Sequence, residues 1–426
     1  MFDQIRLSAW SAGIRNKLSL PLPLRVILWN GQQLDFSTET PRVTIRVPQP
    51  SALRYLLSPS LYNLGSAYVE GAIEVSGRAA DMIAIVNALA KTSLKPHGLF
   101  GRAVRSITHT REKDAQAIRY HYDVSNEFYS AWLDPRMVYS CAYFETGTED
   151  LATAQCAKID HILTKIDLRP GQSLLDIGCG WGALVIRAAE RFGVRCVGVT
   201  LSENQALLAR EQVERAGMAH LVEIRLQDYR DVTGQFDRIT SVGMFEHVGI
   251  NHLAEYFGRI NALLAPGGVA MNHGLTSTDV ESRGTPYGGG EFIHRYVFPH
   301  GELAHLGTVI RAMQEGGLEV RDVENLRRHY ARTCALWTDN FEANAEQIRQ
   351  LTDPRRFRIW HVYLAGCTHA FNQDWISLYQ IVCGKAGQEP GAIAWSRRYM
   401  YAPGAQADAG AGEHPNPISG DSQTCP

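Results

Sequence analysis

The spacing of apolar and polar positions divides the chain into an N-terminal part, a connector and a long alternating part. Residues 24–29 read as a strand, Asn30-Gly31 as a hairpin turn, and Val43, Ile45 and Val47 alternate with Thr44 and Arg46 as in a half-buried strand. Residues 51–58 and 79–91 read as helices, so a small α+β domain is expected over 1–92. Before it, Phe2, Ile5, Trp10, Ile14 and Leu18 fall loosely on one side of a potential helix, to be packed on its own domain or against a membrane. From about residue 150 helical and strand periods alternate. Helices are expected at 151–165, 183–192, 204–216 and 251–264, and strands at 173–178, 194–199, 221–226, 236–242 and 269–273. That order predicts a doubly wound α/β sheet within a domain of residues 120–390. Residues 391–426 read as an extension, rich in Gly, Ala, Pro, Asp and Ser and largely disordered from about 403.

Charge changes the picture mainly in the connector, 93–119. Between Lys91 and Arg119 seven Lys or Arg residues face only Glu112 and Asp114, either as a solvated linker or as an attraction to anionic headgroups. The whole chain, with a net charge of −2, offers no argument for nucleic acid. Its eight cysteines form no C-x-x-C pair, which speaks against a zinc ribbon, a disulfide framework or a metal site and makes a reducing cytoplasm the simplest compartment. Arg6, Arg15, Lys17, Pro21 and Pro23 interrupt any signal peptide, and no window approaches the roughly 18 consecutive apolar residues that span a bilayer, so membrane contact is expected to be peripheral.

The densest candidate chemistry is Leu175-Asp176-Ile177-Gly178-Cys179-Gly180-Trp181-Gly182 at the end of the first strand of the α/β part. Glycines let backbone N–H groups approach a ligand, and the helix behind them points its positive end at the same place. Gly178, Gly180 and Ala183 also fit a dinucleotide motif. The acidic residue expected about 20 positions later for ribose hydroxyls is not clear; the second strand ends in Thr200-Leu201-Ser202-Glu203-Asn204-Gln205 instead. Asp176 suits a cationic, amine-bearing ligand, which favours S-adenosylmethionine over NAD, with a ligand-free turn as the bland alternative.

Further stretches carry polar and aromatic groups together: Tyr120–Tyr129, Tyr139-Ser140-Cys141-Ala142-Tyr143-Phe144, Gly243-Met244-Phe245-Glu246-His247-Val248-Gly249 and His329-Tyr330-Ala331-Arg332-Thr333. Singly, each has a bland reading as core, buried thiol or surface pair. Jointly, with Phe292–Pro299, Tyr363-Leu364-Ala365-Gly366-Cys367 and Leu64-Gly65-Ser66-Ala67-Tyr68-Val69-Glu70-Gly71, they resemble the cyclopropane-fatty-acyl-phospholipid synthases and the related mycolic acid cyclopropane synthases. The Leu64–Gly71 stretch looks like the amino-terminal domain of the phospholipid-acting members.

The resemblance implies a class I S-adenosylmethionine-dependent methyltransferase domain with a small N-terminal α+β lipid-binding domain. It implies methyl transfer to the cis double bond of an unsaturated phospholipid chain, followed by loss of a proton to bound bicarbonate and closure to a cyclopropane. The bicarbonate pocket maps onto Cys141 (mainly backbone), Glu246, His273, the backbone near Leu275, and Tyr330. Cofactor contacts map onto Tyr139, Ser140, Leu174, Asp176, Gly178, Gly180, Trp181, Gly182, Thr200, Leu201, Gln205, Gln227 and Asp228. A carbocation must be kept from water, and aromatic faces stabilise cations by roughly 0.5–2 kcal/mol each. Tyr122, Phe128, Tyr143, Phe245, Tyr296 and Trp337 are the tunnel candidates, with core packing the alternative for each. Ser125 replaces a common Gly, Glu127 a common Asp, and His300 interrupts a usual Pro-Gly-Gly. The departures bear on acyl preference and on ring closure. The resemblance also implies peripheral association with the inner face of the membrane and a homodimer. Alternatives are a methyl- or methylene-branched product, methylation of another lipid such as a sphingolipid or of a small amine, or a catalytically silent lipid-binding protein.

Overall fold

A computed structural model describes Gly13 and residues 21–92, 124–282, 284–299, 301–388 and 394–401. The expected N-terminal amphipathic helix, the basic connector 93–119, Tyr122, His300 and the tail from 403 lie outside the described residues.

The small unit is a four-stranded sheet in the order β2-β1-β3-β4. β1 (Leu24–Ile27) and β2 (Gln33–Asp35) form an antiparallel hairpin, while β3 (Val43–Arg46) lies parallel to β1 and antiparallel to β4 (Glu74–Ser76). The Asn30-Gly31 turn closes as its chemistry demands. Gly31 takes a φ of +83°, and Asn30 Oδ1 accepts from the Gln32 N–H at 3.0 Å. Alternation along β1 and β3 points Leu24, Val26, Val43 and Ile45 inward. They face α1 (Leu53–Leu57), α2 (Leu61–Val69) and α3 (Ala79–Thr92). Ser60 caps α2 by accepting from the Asn63 N–H at 3.0 Å.

A short helix, α4 (Asn126–Ser130), leads into the large unit; Ser125 caps it, which gives that departure from the family pattern a local structural role. α5 (Leu151–Lys165) follows, then β5 (Ser173–Ile177), α6 (Ala183–Phe192), β6 (Arg195–Thr200), α7 (Glu203–Arg215), β7 (Val222–Leu226) and β8 (Phe236–Val242). After α8 (Leu253–Leu263) and β9 (Leu264–Ser277) come α9 (Gly289–Tyr296), α10 (Leu306–Glu315), β10 (Leu318–Asn325), α11 (Arg327–Ala343), α12 (Ala345–Leu351), α13 (Pro354–Asn372), β11 (Ile376–Lys385) and α14 (Arg398–Tyr401).

The large sheet runs β10-β11-β9-β8-β5-β6-β7. β7, β6, β5, β8 and β9 are mutually parallel; β11 is antiparallel to β9, and β10 to β11. Strand order reverses between β5 and β8, the switch point where such sheets bind ligands at their carboxyl ends. The five parallel strands match the periodicity within a residue or two, except that β9 begins at Leu264, five residues before the expected start, and runs on through Ser277. The antiparallel pair is an addition to that reading. α13 joins the two units by packing against α2 and α3. Glu342 accepts from the Ala79 N–H at 2.7 Å and lies 3.0 Å from His361 Nε2. His361 Nδ1 is in turn 3.2 Å from the Tyr68 hydroxyl. No helix among the described residues is long and apolar enough to cross a membrane.

Candidate active site

β5 delivers Asp176 to the switch point. Thr240, its neighbour on β8, donates to Asp176 Oδ1 at 2.7 Å. Burial pushes the Asp176 carboxyl up to about 6, against the opposing pull of that hydrogen bond and of Lys158. A cation placed beside it would keep it ionised. The chain then turns through Gly178, Gly180 and Gly182, whose φ values of +79°, +55° and +88° are the left-handed region that side chains resist. At Gly178 space is short as well, because an added Cβ would lie 2.7 Å from the Met244 side chain, which would have to shift.

The neighbours of this turn are held in place. Thr200 donates to Gln205 Oε1 at 2.8 Å, and Ser202 caps α7. The Gln227 N–H donates to the Thr200 carbonyl at 3.1 Å. Trp181 Nε1 donates to Asn126 Oδ1 at 2.8 Å, tying the turn to α4. Lys158 Nζ donates to Ser140 Oγ at 2.7 Å, and burial lowers this lysine to about 8.

The second group of polar residues comes from different elements. A short 3-10 turn at Phe245–His247, just beyond β8, aims Glu246 across β9. Gly274 permits this, because a Cβ there would strike the Phe245 ring and lie 2.9 Å from Glu246 Oε2. The Leu275 N–H donates to Glu246 Oε1 at 3.3 Å, whereas Glu246 Oε2 is buried with no partner. Burial raises the Glu246 carboxyl to about 7, with the Leu275 N–H pulling the other way. His273, two residues before Leu275 on β9, is 1% exposed; burial first, then Lys158, Lys165 and His161, keeps its imidazole neutral well below the usual range. Gln380, opposite it on β11, donates its amide to His273 Nδ1 at 3.2 Å, which leaves the ring proton on Nε2. That Nε2 is also buried without a partner. An unpaired buried carboxylate oxygen and an unpaired imidazole N–H are costly unless a small polar group meets them.

One cavity of about 600 Å³ joins the two groups. Its wall includes Tyr139, Ser140, Asp176, Gly178, Gly180, Trp181, Thr200, Leu201, Gln205 and Gln227 from the cofactor set, and Glu246, His273 and Tyr330 from the catalytic set. It continues between α9 and α13, past Phe292 and Tyr363, into the small unit. Leu174, Gly182 and Asp228 stand outside that wall. Leu174 is buried in the core behind the sheet, Gly182 opens α6, and Asp228 accepts from the Arg230 backbone and guanidinium at 2.7 to 2.9 Å. Cys141 also stands outside it, wholly buried, with its thiol 3.2 Å from the Ala142 carbonyl and pushed up by burial.

The tunnel candidates need correction, because none of the described ones belongs to the cavity wall. Phe128 packs edge-on against Trp132 and Trp360 in a closed aromatic core. Trp337 sits behind Tyr139 and Tyr330, at 5.2 and 5.8 Å. Tyr143 is stacked between His161 and His329, at 4.2 and 4.8 Å. Phe245 packs on Phe257 beneath Glu246, and the Tyr296 hydroxyl donates to Glu70. Four of the five are buried and Tyr143 is half-buried, and residue type alone cannot separate a wall from the layer behind it.

Two functional candidates escaped the sequence reading, and each left a signal. Lys158 shares the buried face of α5 with Leu151, Ala154, Ile159 and Ile162, an unusual place for a lysine. Gln380 is the single amide in the apolar run Ile376–Cys383.

A family model described as mycolic acid cyclopropane synthetase matches residues 109–381, and a model for a domain of unknown function matches 13–97. The chain is 44% identical to a probable fatty acid methyltransferase of Pseudomonas putida over 386 residues, covering 90% of this chain and 97% of the relative. It is 34% identical to the cyclopropane-fatty-acyl-phospholipid synthase of Escherichia coli K12 over 342 residues, covering 79% and 87%. Among solved structures it is similar to the mycolic acid cyclopropane synthase CmaA1 complexed with SAH and CTAB, with a TM-score of 0.61 and 35% identity over 64% of this chain and 98% of that one.

Proposed function

The chain belongs to the mycolic acid cyclopropane synthetase family, and from that premise we propose that it transfers a methyl group to the cis double bond of an unsaturated phospholipid chain and closes a cyclopropane. It is an S-adenosylmethionine-dependent methyltransferase. The observation that carries the finer reading is the single cavity that runs from the Asp176–Gly182 turn, past the unpaired Glu246 Oε2 and His273 Nε2, into apolar surroundings.

Each part of the cavity supports one requirement. S-adenosylmethionine supplies the methyl group, and Asp176 with the glycine turn fits its cationic amino-acid portion, while Gln227 and Leu201 border the space for its adenosine. An alkene is a weak nucleophile, so alignment against the methyl donor must provide much of the rate. Apolar walls such as Phe292 and Ile293 fit the chain and exclude water from a carbocation. Glu246 and His273 fit bicarbonate, since Glu246 Oε2 and His273 Nε2 are unpaired buried atoms of the two hydrogen-bonding kinds, while the Leu275 N–H holds Glu246 Oε1; when bound there, bicarbonate would accept the departing proton. Glu246 and neutral His273 would orient it, and Gln380 would hold the His273 ring. Peripheral contact with the inner face of the membrane, through the small unit and the basic segment 93–119, follows from this reading, since the substrate chain starts in a bilayer.

The test is to incubate the protein with vesicles of oleoyl phospholipid and S-adenosylmethionine. The lipid should gain the mass of one methylene per reacted chain, with upfield ring protons in the NMR spectrum. No gain by a protein that still binds S-adenosylmethionine would overturn the proposal. A second reading, a branched chain carrying a methylene group in place of the ring, keeps the same methyl donor and acyl substrate and is compatible with the 44% identity to a probable fatty acid methyltransferase, whose name specifies no ring. It predicts the same mass and vinylidene protons instead.

A further inference from the structure

The cavity does not stop at the large unit. It penetrates the core of the small one, where Val43 and Ile45 of β3, Ile73, and Met82 and Ile85 of α3 form part of its wall. Val43, Ile45 and Ile73 are each only 1% exposed, so this arm is a narrow slot inside the domain and not an open vestibule. None of the described small-unit residues in the wall is charged. At the junction of the units, the Tyr68 hydroxyl lies against His361 and the tyrosine offers its ring.

We propose that this slot receives the methyl-terminal segment of the acyl chain and limits how much chain extends beyond the reacting carbons. The inference rests on the acyl-chain reading above and adds the direction of threading. A phosphate or ester inserted into an uncharged apolar slot would lose its hydration without replacement partners, at a cost that methylene groups do not incur. The charged headgroup must therefore stay on the other side of the reactive centre, with the methyl end in the small domain. Burial of each terminal methylene contributes its transfer free energy only where the slot has room for it.

Three phospholipids separate this from its alternatives. Palmitoleoyl and oleoyl chains share the distance from carboxyl to double bond, and oleoyl is two carbons longer on the methyl side. A cis-vaccenoyl chain has the methyl side of palmitoleoyl and a longer carboxyl side. Filling the slot with Ile85→Phe should lower the oleoyl-to-palmitoleoyl ratio of kcat/KM about tenfold, the discrimination a pocket exerts per displaced methylene. The ratio of cis-vaccenoyl to palmitoleoyl should stay where it is in the unsubstituted protein. Ile85→Ala, which enlarges the slot and tests the idea even if the Phe variant fails to fold, should raise the oleoyl ratio. A folded pair of variants with unchanged ratios would overturn the proposal, as would a cis-vaccenoyl ratio falling with the oleoyl one. If the unsubstituted protein methylates none of the three, the function proposed above fails. The slot is then tested by binding of fluorescent cis-parinaric acid, which Ile85→Phe should weaken; equal binding would overturn the slot as well.

Discussion

The donor and acceptor ends of the cavity differ in how their polar groups are satisfied. At the donor end, Asp176 accepts from Thr240, Thr200 donates to Gln205, and Lys158 donates to Ser140. At the acceptor end, Glu246 Oε2 and His273 Nε2 are buried with no partner. The first arrangement is a finished mould for a cofactor. The second stores an unfavourable electrostatic state that a ligand can relieve. The comparison teaches that satisfied and unsatisfied polar groups are separated within one cavity, with the cost of buried, unpaired polar atoms concentrated at the end where the proposed reaction would move a proton.

The largest expected effect breaks the acceptor end alone. Glu246→Gln should lower kcat by roughly 100- to 1,000-fold, the usual worth of a positioned acid–base group, while S-adenosylmethionine affinity measured by calorimetry changes less than about threefold. A parallel loss of affinity would mean that the two ends are not separable. The next largest breaks the donor end. Gly178→Ala places a side chain at a φ of +79° and against Met244, so S-adenosylmethionine affinity should fall roughly 10- to 100-fold in the same calorimetric assay. Gln380→Leu leaves His273 Nδ1 unpaired and should lower kcat about tenfold with an altered pH–rate profile, while Gln380→Glu restores a partner for the ring. An unaltered profile in the leucine variant would reduce Gln380 to packing.

The pH dependence of stability sharpens the contrast further. The Glu246 carboxyl rises from an ordinary 4.5 to about 7 on folding, so the folded state binds the extra proton between those values. Its favourable contribution is present below pH 4.5 and is lost as pH rises through 7. Ligand-free Glu246→Gln should therefore be more stable than the parent at pH 8, by about 3 kcal/mol at most, and the gap should close toward pH 5. Thermal unfolding at the two pH values measures it. A gap that widens at low pH would contradict the buried, unpaired carboxylate. The smallest effect is expected at Asp228, which stands outside the wall and holds Arg230. Asp228→Asn should change S-adenosylmethionine affinity less than about threefold.

The donor end was also the legible end. Leu174, Leu175 and Ile177 mark a buried strand, and the glycines after it have few other uses, so strand, turn and helix could be placed from residue types alone. The acceptor end was obscured by its own chemistry. Asn272, His273 and Thr276 interrupt the apolar pattern of β9, so periodicity ended the strand at 273 whereas hydrogen bonding carries it to Ser277. Gln380 in β11 faces Glu324 on one side and His273 on the other only through strand register, which no local signal encodes. Glu246 stands out within the Gly243–Gly249 stretch, but its role and the choice of His273 come from family resemblance, and their burial and unpaired atoms could not be read from spacing. Aromatic candidates such as Phe128 and Trp337 failed for a related reason, since lumen and core select the same side chains. The same ambiguity hid the slot in the small domain, where the alternation of Val43 and Ile45 would look identical around a filled core.

The central claim is that the two ends act on one methyl group in sequence, the donor end delivering it and the acceptor end removing one of its protons. The most direct measurement uses S-adenosylmethionine with a fully deuterated methyl group and oleoyl phospholipid vesicles, read by mass spectrometry of the product chains. The account predicts that two of the three deuterons are retained, in a carbon bridging the former double bond. Retention of all three would show that the methyl group is transferred intact and would contradict it.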